Sequence, residues 1–460
     1  MKKILVLVAA ACMLCTTAFA QTVKPFKEGD RAVFLGNSIT DGGHYHSYIW
    51  LYYMTRFPNM NLRVFNGGIG GDTAFDMNKR LDGDIFCLEP TVLMVTFGMN
   101  DSGYFEYNGD KPKEFGEQKY QESIKNYQQM EKRFKDLPST RIVMLGTSPY
   151  DETVQLKDNV PFRTKNETIK RIVEYQKQSA AENHWEFTDL NEPMTAMNHR
   201  FQQKDPSFTL CGRDRIHPDN DGHMVMAYLF LKAQGFAGKD VANVEIDANR
   251  KQAVKSENCA ISNIKKNGKE LSFDYLAESL PYPLDTIPRG WEQSRSQADA
   301  MKVVPFMDEM NREMLKVTGL KGTYKLLIDG EEIGTWNAGE LAAGINLAKE
   351  TKTPQYQQAL AVMHLNEYRW EIERTFRDYA WMQFGFFQQK GLLFANDRKA
   401  IEVMDDNVEK NGWVKGHRDT YTRLMFEAVR DARKQEMEIL VNKIYEVNKP
   451  VTRKVQLRQM

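Results

Sequence analysis

The sequence predicts an α/β fold: a three-layer α/β/α domain around a five-stranded parallel sheet, followed by a mixed, mainly helical region with a small β portion. Three observations lead there. Between about residue 30 and residue 235, short β-rich apolar runs alternate with longer helical stretches, the order that builds a parallel sheet covered on both faces. The glycine-rich and polar clusters of this half fall just after the β-rich runs, where open α/β sheets place their sites. Past Gly235 the alternation stops and long charged helical patterns take over.

The elements follow in chain order. Lys2-Lys3, the apolar run Ile4 to Leu14 and the small residues Ala18-Phe19-Ala20 read as a secretory signal peptide over 1–20, so the protein is expected to be secreted or periplasmic. That run is too short to span a membrane. A lipoprotein signal around Cys12 is the rival reading, ranked lower because the apolar run before Cys12 is short. Strands are expected at 32–35, 62–65, 92–97, 141–146 and 185–190, with helices at 119–134, 164–182 and 222–233 between and after them. The boundary falls near residues 236–250, giving an α/β domain over 21–240 and a C-terminal region over 241–460. In that region 254–273 reads as short extended pieces. Residues 324–328 and 333–336, flanking Asp329-Gly330, read as a hairpin with a tight turn. Helices are expected at 355–389, 397–411 and 420–446, with Glu371, Glu373, Arg374 and Arg377 as charge pairs at helical spacing. An aromatic stripe from Trp370 to Phe387 reads as core rather than as a binding face.

Composition narrows the class. With 460 residues, two or three domains are the prior. Basic and acidic residues balance at 62 each, so no electrostatic footprint points to nucleic acid or an anionic membrane. Past the leader the sequence holds Cys87, Cys211 and Cys259, too few for a disulfide framework, though one bridge is open. No Cys/His cluster has structural zinc spacing, and no metal or cofactor is expected.

The residues that carry chemistry sit after the strands. Ser38, in Gly36-Asn37-Ser38-Ile39-Thr40, follows the first. Taken alone it reads as a helix N-cap. Asp214 and His217, in Asp214-Arg215-Ile216-His217-Pro218, follow the fifth; Asp214 is close enough to orient the imidazole and leave Nε2 as a base. Together the three supply a nucleophile, a base and an orienting carboxylate. The run Asn66-Gly67-Gly68-Ile69-Gly70-Gly71-Asp72-Thr73 follows the second strand. A phosphate cradle there lacks its context, because the loop after the first strand holds Ser38 instead. An exposed backbone N–H acting as an oxyanion donor is the other reading, an ordinary turn the plain one. Asn100, in Gly98-Met99-Asn100-Asp101, is an amide donor candidate, with an Asx-turn as its plain reading. His44 and His46 are candidates to line the site; their spacing would suit a strand-borne metal pair, but a third ligand is missing. Position 40 is Thr, so the Gly-x-Ser-x-Gly elbow of the α/β-hydrolases is not the pattern.

Taken in order, Gly36-Asn37-Ser38, Gly71-Asp72-Thr73, Gly98-x-Asn100-Asp101 and Asp214-x-x-His217-Pro resemble the four blocks of the SGNH hydrolases, the GDSL esterases and lipases, over about residues 30–235. The resemblance implies a flavodoxin-like fold. It implies Ser38 as nucleophile, His217 as general base and acid, and Asp214 as its orienting partner. The oxyanion hole it implies is the N–H of Ser38, the N–H of Gly71 and the amide of Asn100. Gly70 is the alternative donor; Gly71 is chosen because it directly precedes Asp-Thr. Asn37 stands where the family usually has Asp.

The activity expected is serine-dependent hydrolysis of a carboxylic ester, most of all removal of acetyl groups from carbohydrate, acting on a small-molecule or glycan ester without cofactor. Tyr45, Tyr48, Trp50, Tyr104, Phe105 and Tyr107 are candidates to stack on sugar faces, with packing an equal reading. Alternatives are a lipase, thioesterase or arylesterase, or a non-catalytic glycan-binding protein on an esterase scaffold.

Overall fold

The computed structural model describes residues 22–157, 159–290 and 292–460, so the leader expected over 1–20 lies outside the described residues. In the first half, strands β1 (Arg31–Gly36), β2 (Arg63–Gly68), β3 (Val92–Val95), β4 (Arg141–Gly146) and β5 (Glu186–Asp189) form one sheet in the order β2-β1-β3-β4-β5. Every pairing in it is parallel. Along β1 the side chains alternate between two cores. Val33 and Leu35 pack with the helices α3 (Ala74–Arg80), α4 (Pro112–Lys135) and α5 (Lys165–Glu182). Ala32 and Phe34 pack with α2 (Tyr45–Arg56), α6 (Asn191–Gln202) and α7 (Asn220–Ala233) on the other side. A strand covered on both faces must be apolar throughout, which is why these strands read as continuous runs. The chain leaves β1 toward β2 on one side and returns to β3 on the other, so the crevice between the ends of β1 and β3 is the topological switch point. A one-turn helix, α1 (Ser38–Asp41), opens at that point.

The C-terminal region is mainly helical, and its β portion consists of two sheets. One, in the order β13-β10-β6-β7, takes β6 (Ala242–Asp247), β7 (Gln252–Glu257), β10 (Glu313–Thr318) and β13 (Ile345–Asn346). The other, β12-β11-β14-β9-β8, takes β8 (Cys259–Asn267), β9 (Glu270–Ala277), β11 (Thr323–Ile328), β12 (Glu331–Asn337) and β14 (Arg453–Gln459). A core of its own, including Val244, Phe273, Val317, Leu326 and Leu457, fills the space between them. Short helices α8 (Phe306–Glu309) and α9 (Ala338–Ala343) connect strands. The long helices are α10 (Pro354–Ala380), α11 (Arg398–Val408), α12 (Gly412–Leu424) and α13 (Glu427–Val447). α10 and α13 do not stand apart from the first half: Val362, Met363, Val441 and Ile444 share a core with Trp50, Tyr53 and Phe230.

Several elements differ from the sequence expectation. Residues 45–56 form a helix whose residues are all buried, so His44 and His46 are not strand-borne, and Tyr45, Tyr48 and Trp50 are core rather than sugar-stacking residues. The helix expected over 420–446 is two helices. Phe426 is extended between them, and the Arg430 guanidinium donates to the Leu424 and Met425 carbonyls, satisfying the open end of α12. β14 is a strand that the sequence reading did not assign. Its outer partners, β9 and β11, lie far away in the chain, so its stability comes from tertiary pairing. Cys87, Cys211 and Cys259 are free thiols. Among the described residues no helix is long and apolar enough to cross a membrane.

Candidate active site

The site is built where β1 ends. Asn37 leaves the strand in extended geometry and its side chain accepts the Ile39 N–H at 3.0 Å, so the N-cap is Asn37 and not Ser38. An amide or a carboxylate oxygen can make that bond, which is why Asn in place of Asp is tolerable here. Ser38 becomes the first helical residue. Its N–H lies ahead of the first intrahelical bond, and no acceptor for it is found among the described residues.

Ser38 Oγ lies 2.7 Å from His217 Nε2, and His217 Nδ1 lies 2.5 Å from Asp214 Oδ2. The other carboxylate oxygen of Asp214 accepts the Ile216 and His217 N–H groups, both at 2.9 Å. Burial pushes the Asp214 carboxyl up. The hydrogen bond from His217, its charge, and the two backbone N–H groups outweigh that and hold it below the usual carboxylate range. An ionised Asp214 on Nδ1 leaves Nε2 as the atom facing the serine. The loop is pinned by Arg215, whose φ is +69° and whose buried guanidinium donates to the carbonyls of Asp151, Val154 and Asn159. Gly212, with φ +70°, has room for no side chain, since a Cβ would lie 2.2 Å from the His217 carbonyl.

The two further loops meet each other directly. In the turn Ile69–Asp72, Gly70 N–H donates to Asp41 Oδ2 at 3.1 Å. Gly71, with φ +87°, has an N–H with no acceptor among the described residues. Asn100 Nδ2 donates to the Asp72 carbonyl at 2.8 Å, while Tyr104 Oη donates to Asn100 Oδ1 at 2.5 Å, which fixes the orientation of the amide. One N–H of that amide remains. Asp101 ties the same loops together: Oδ1 accepts the Ala74 N–H at 2.9 Å and Oδ2 the Gly98 N–H at 3.0 Å. Beneath them Lys165, fully buried, donates to the Met99 carbonyl at 2.7 Å and to Ser102 Oγ at 2.6 Å, and sits 3.9 Å from the Tyr104 ring. Burial pushes its ammonium well below the usual lysine range, against the pull of Asp101 and Glu152.

Asp41, Asp101, Lys165 and Arg215 were missed by sequence reasoning. Asp101 and Arg215 are adjacent to candidates, and Asp41 lies one helical turn after Ser38. Lys165 carries no local signal, because a lysine in the first turn of an amphipathic helix reads as solvated. His44 and His46 do not line the site. Both are buried, and His44 stacks on Trp370 of α10 at 3.8 Å. Tyr107 is buried, whereas Phe105 is 79% exposed. A cavity of about 1010 Å³ lies elsewhere, between the β2 edge and helices α10 and α13, and Ser38, Asn100, Asp214 and His217 do not line it.

The arrangement can move a proton from a serine hydroxyl to an imidazole and offers unoccupied N–H groups in the neighbouring loops. Comparison with known proteins agrees with that chemistry. Residues 34–225 match the GDSL-like Lipase/Acylhydrolase family. A solved structure described as BT4096, a gut microbial diltiazem-metabolizing enzyme, is 79% identical, with a TM-score of 0.95, covering 96% of this chain and 100% of its own. The chain belongs to the GDSL-like acylhydrolases, the SGNH hydrolases. As a member it is an ester-bond hydrolase. Residues 360–449 of this acylhydrolase match a Diltiazem deacetylase C-terminal helical domain, which covers most of α10 through α13. An acetylxylan esterase of Geobacillus stearothermophilus is 26% identical over 224 residues, 45% of this chain and 95% of the relative. A solved acetylxylan esterase from the same organism is 24% identical, covers 46% of this chain and 96% of its own, and has a TM-score of 0.36.

Proposed function

We propose that this acylhydrolase removes acetyl groups from O-acetylated molecules through an acyl-serine intermediate on Ser38. The observation that carries the reading is the 2.7 Å contact of Ser38 Oγ with His217 Nε2, backed by Asp214 on the opposite ring nitrogen. Ser38 Oγ attacks the ester carbonyl carbon as Nε2 takes its proton. The oxygen that becomes negative is met by the N–H of Ser38, the N–H of Gly71 and the amide of Asn100. His217 gives the proton to the leaving alcohol, and water, activated by the same nitrogen, then releases acetate from Ser38.

For the alcohol, the likeness to a diltiazem-metabolizing enzyme at 79% identity supports acetylated small molecules, diltiazem among them. The C-terminal match to a diltiazem deacetylase domain supports acetyl as the group removed. A second reading, acetylated glycan, is favoured by the acetylxylan esterase relative and by exposed Phe105, which forms an edge-to-face pair with Phe162, itself packed on the Tyr104 that holds Asn100. Acetate release from diltiazem and from a panel of acetylated plant and host glycans decides between them. Ser38→Ala is expected to lower turnover by about four to six orders of magnitude. Turnover that survives this substitution would sink the serine mechanism.

A further inference from the structure

We propose that Arg374 and Asp41 are a positioning pair through which the C-terminal helices hold the oxyanion turn Gly70-Gly71 in place. Asp41 ends the single helical turn that Ser38 begins, and it is buried. Its Oδ2 takes the Gly70 N–H at 3.1 Å, and its Oδ1, without a hydrogen-bond partner among the described residues, faces Arg374 Nη1 at 3.2 Å. Arg374 is held in turn by Asp378 at 2.5 Å, and Asp378 by His417 at 3.3 Å and Thr420 at 3.3 Å, both on α12.

The same face of α10 grips the strand that leads into the turn. Glu373 Oε1 accepts the Asn66 N–H at 2.9 Å, and Arg377 Nε donates to the Gly68 carbonyl at 2.8 Å. Backbone groups at 66, 68 and 70 are thus each tied to α10, the last through Asp41. Asp41 is tied from the other side as well, since Asn66 Nδ2 donates to its carbonyl at 2.9 Å. Occupying the Gly70 N–H fixes the Ile69–Gly70 peptide, and the N–H of the following peptide, that of Gly71, is the one without an acceptor among the described residues. Burial pushes the Asp41 carboxyl up, and Arg374 and then Arg377 pull it back. Buried ion pairs are seldom the most stabilising choice for a fold, since apolar residues of like volume often serve as well. One retained against the turn beside the nucleophile therefore points to geometry rather than stability.

The inference rests on the reading of Gly71 N–H as an oxyanion donor. Removing such a donor outright typically costs roughly 100- to 1000-fold, so loosening it in Arg374→Met is expected to lower kcat by about 10- to 100-fold, with KM within about threefold. Asp41→Asn keeps a carbonyl for the Gly70 N–H and loses the charge, so it should fall between wild type and Arg374→Met. Asp41→Ala combined with Arg374→Met should be no slower than Asp41→Ala alone, because both act through one N–H.

The deciding readout is affinity for a boronic acid, whose tetrahedral adduct on Ser38 puts an oxygen in the oxyanion position. It should weaken by the same factor as kcat/KM, where a merely structural role would lower only the fraction of active protein. Rates are taken per titrated active site. An Arg374→Met protein that keeps kcat and boronic-acid affinity within about twofold overturns the proposal. If that variant does not fold, Asp41→Asn decides by the same criterion. Ser38→Ala run alongside separates the two levels: turnover surviving there rejects the serine mechanism itself, whereas its loss together with an unaffected Arg374→Met rejects only the pair.

Discussion

Ser38 Oγ lies against His217 Nε2, and in the proposed reaction that imidazole is the base that turns an ordinary alcohol into a nucleophile. Asp214 sits on His217 Nδ1 and stays ionised, because His217 and two backbone N–H groups outweigh its burial and hold it below the usual carboxylate range. The sign follows. A carboxylate with a depressed folded value contributes stability that is present above its unfolded value and lost as pH falls through the folded one. Through the working range Asp214 therefore does not change charge. Asp214→Asn is expected to lower kcat by roughly 1,000- to 10,000-fold, since an amide at that position favours the wrong tautomer. A full pH–rate profile of both proteins checks it; a variant with wild-type kcat would remove Asp214 from the mechanism. Ser38, Asn100, Asp214 and His217 were readable as candidates from the sequence because each lies in a short ordered block. Asp41 and Lys165 were not, because their importance lies in what they touch: the Gly70 N–H in one case, the Met99 carbonyl and the Ser102 hydroxyl in the other.

The elements show the same division. β1 through β5 were legible because a doubly covered parallel sheet demands uninterrupted apolar strands separated by amphipathic helices. α2 was not recognised as a helix: its residues are buried all round, so no polar face marks the period. The β portion of the C-terminal region holds an element with a pH consequence. Glu313, at the start of β10, is buried and accepts from Tyr275 Oη of β9 at 2.8 Å and Gln355 Nε2 of α10 at 2.9 Å, while its second oxygen has no hydrogen-bond partner among the described residues. Burial pushes its carboxyl up to about 7, against those two hydrogen bonds. A raised folded value means that the stability it contributes is fully present below its unfolded value near 4.5 and is lost as pH rises through about 7. Glu313→Gln keeps the acceptor and cannot ionise, so at pH 8 it should be more stable than wild type by about 1–3 kcal/mol and at pH 4.5 nearly equal. Urea unfolding at the two pH values measures this, and a gap that does not widen with pH would contradict it.

At the scale of the molecule, the boundary near residues 236–250 separates sheets but not cores. One face of the catalytic sheet is covered by α2 and α7, and these pack onward against α10, α13 and the segment around Tyr282 and Phe306. Cutting the chain after residue 240 would uncover Trp50, which meets Tyr445 and Arg369, and Tyr52, which meets Tyr282, each worth about 1.5–3 kcal/mol of burial. A fragment of residues 22–240 is therefore expected to lose its near-ultraviolet circular dichroism and its esterase activity; a soluble, active fragment would show the halves to be independent. The sequence by itself determined the α/β class, the order of the five parallel strands along the chain and the short blocks holding Ser38, Asn100, Asp214 and His217, because these depend on local periodicity and on residues close together in the chain. Only the tertiary structure decided that Gly70 N–H is occupied while Gly71 N–H is open, that Asn37 is the cap, and that α10 reaches Asp41 and the Asn66 and Gly68 backbone. The α10 contacts join residues more than 300 positions apart, and no pattern in a local window encodes which buried charges will meet across such a distance.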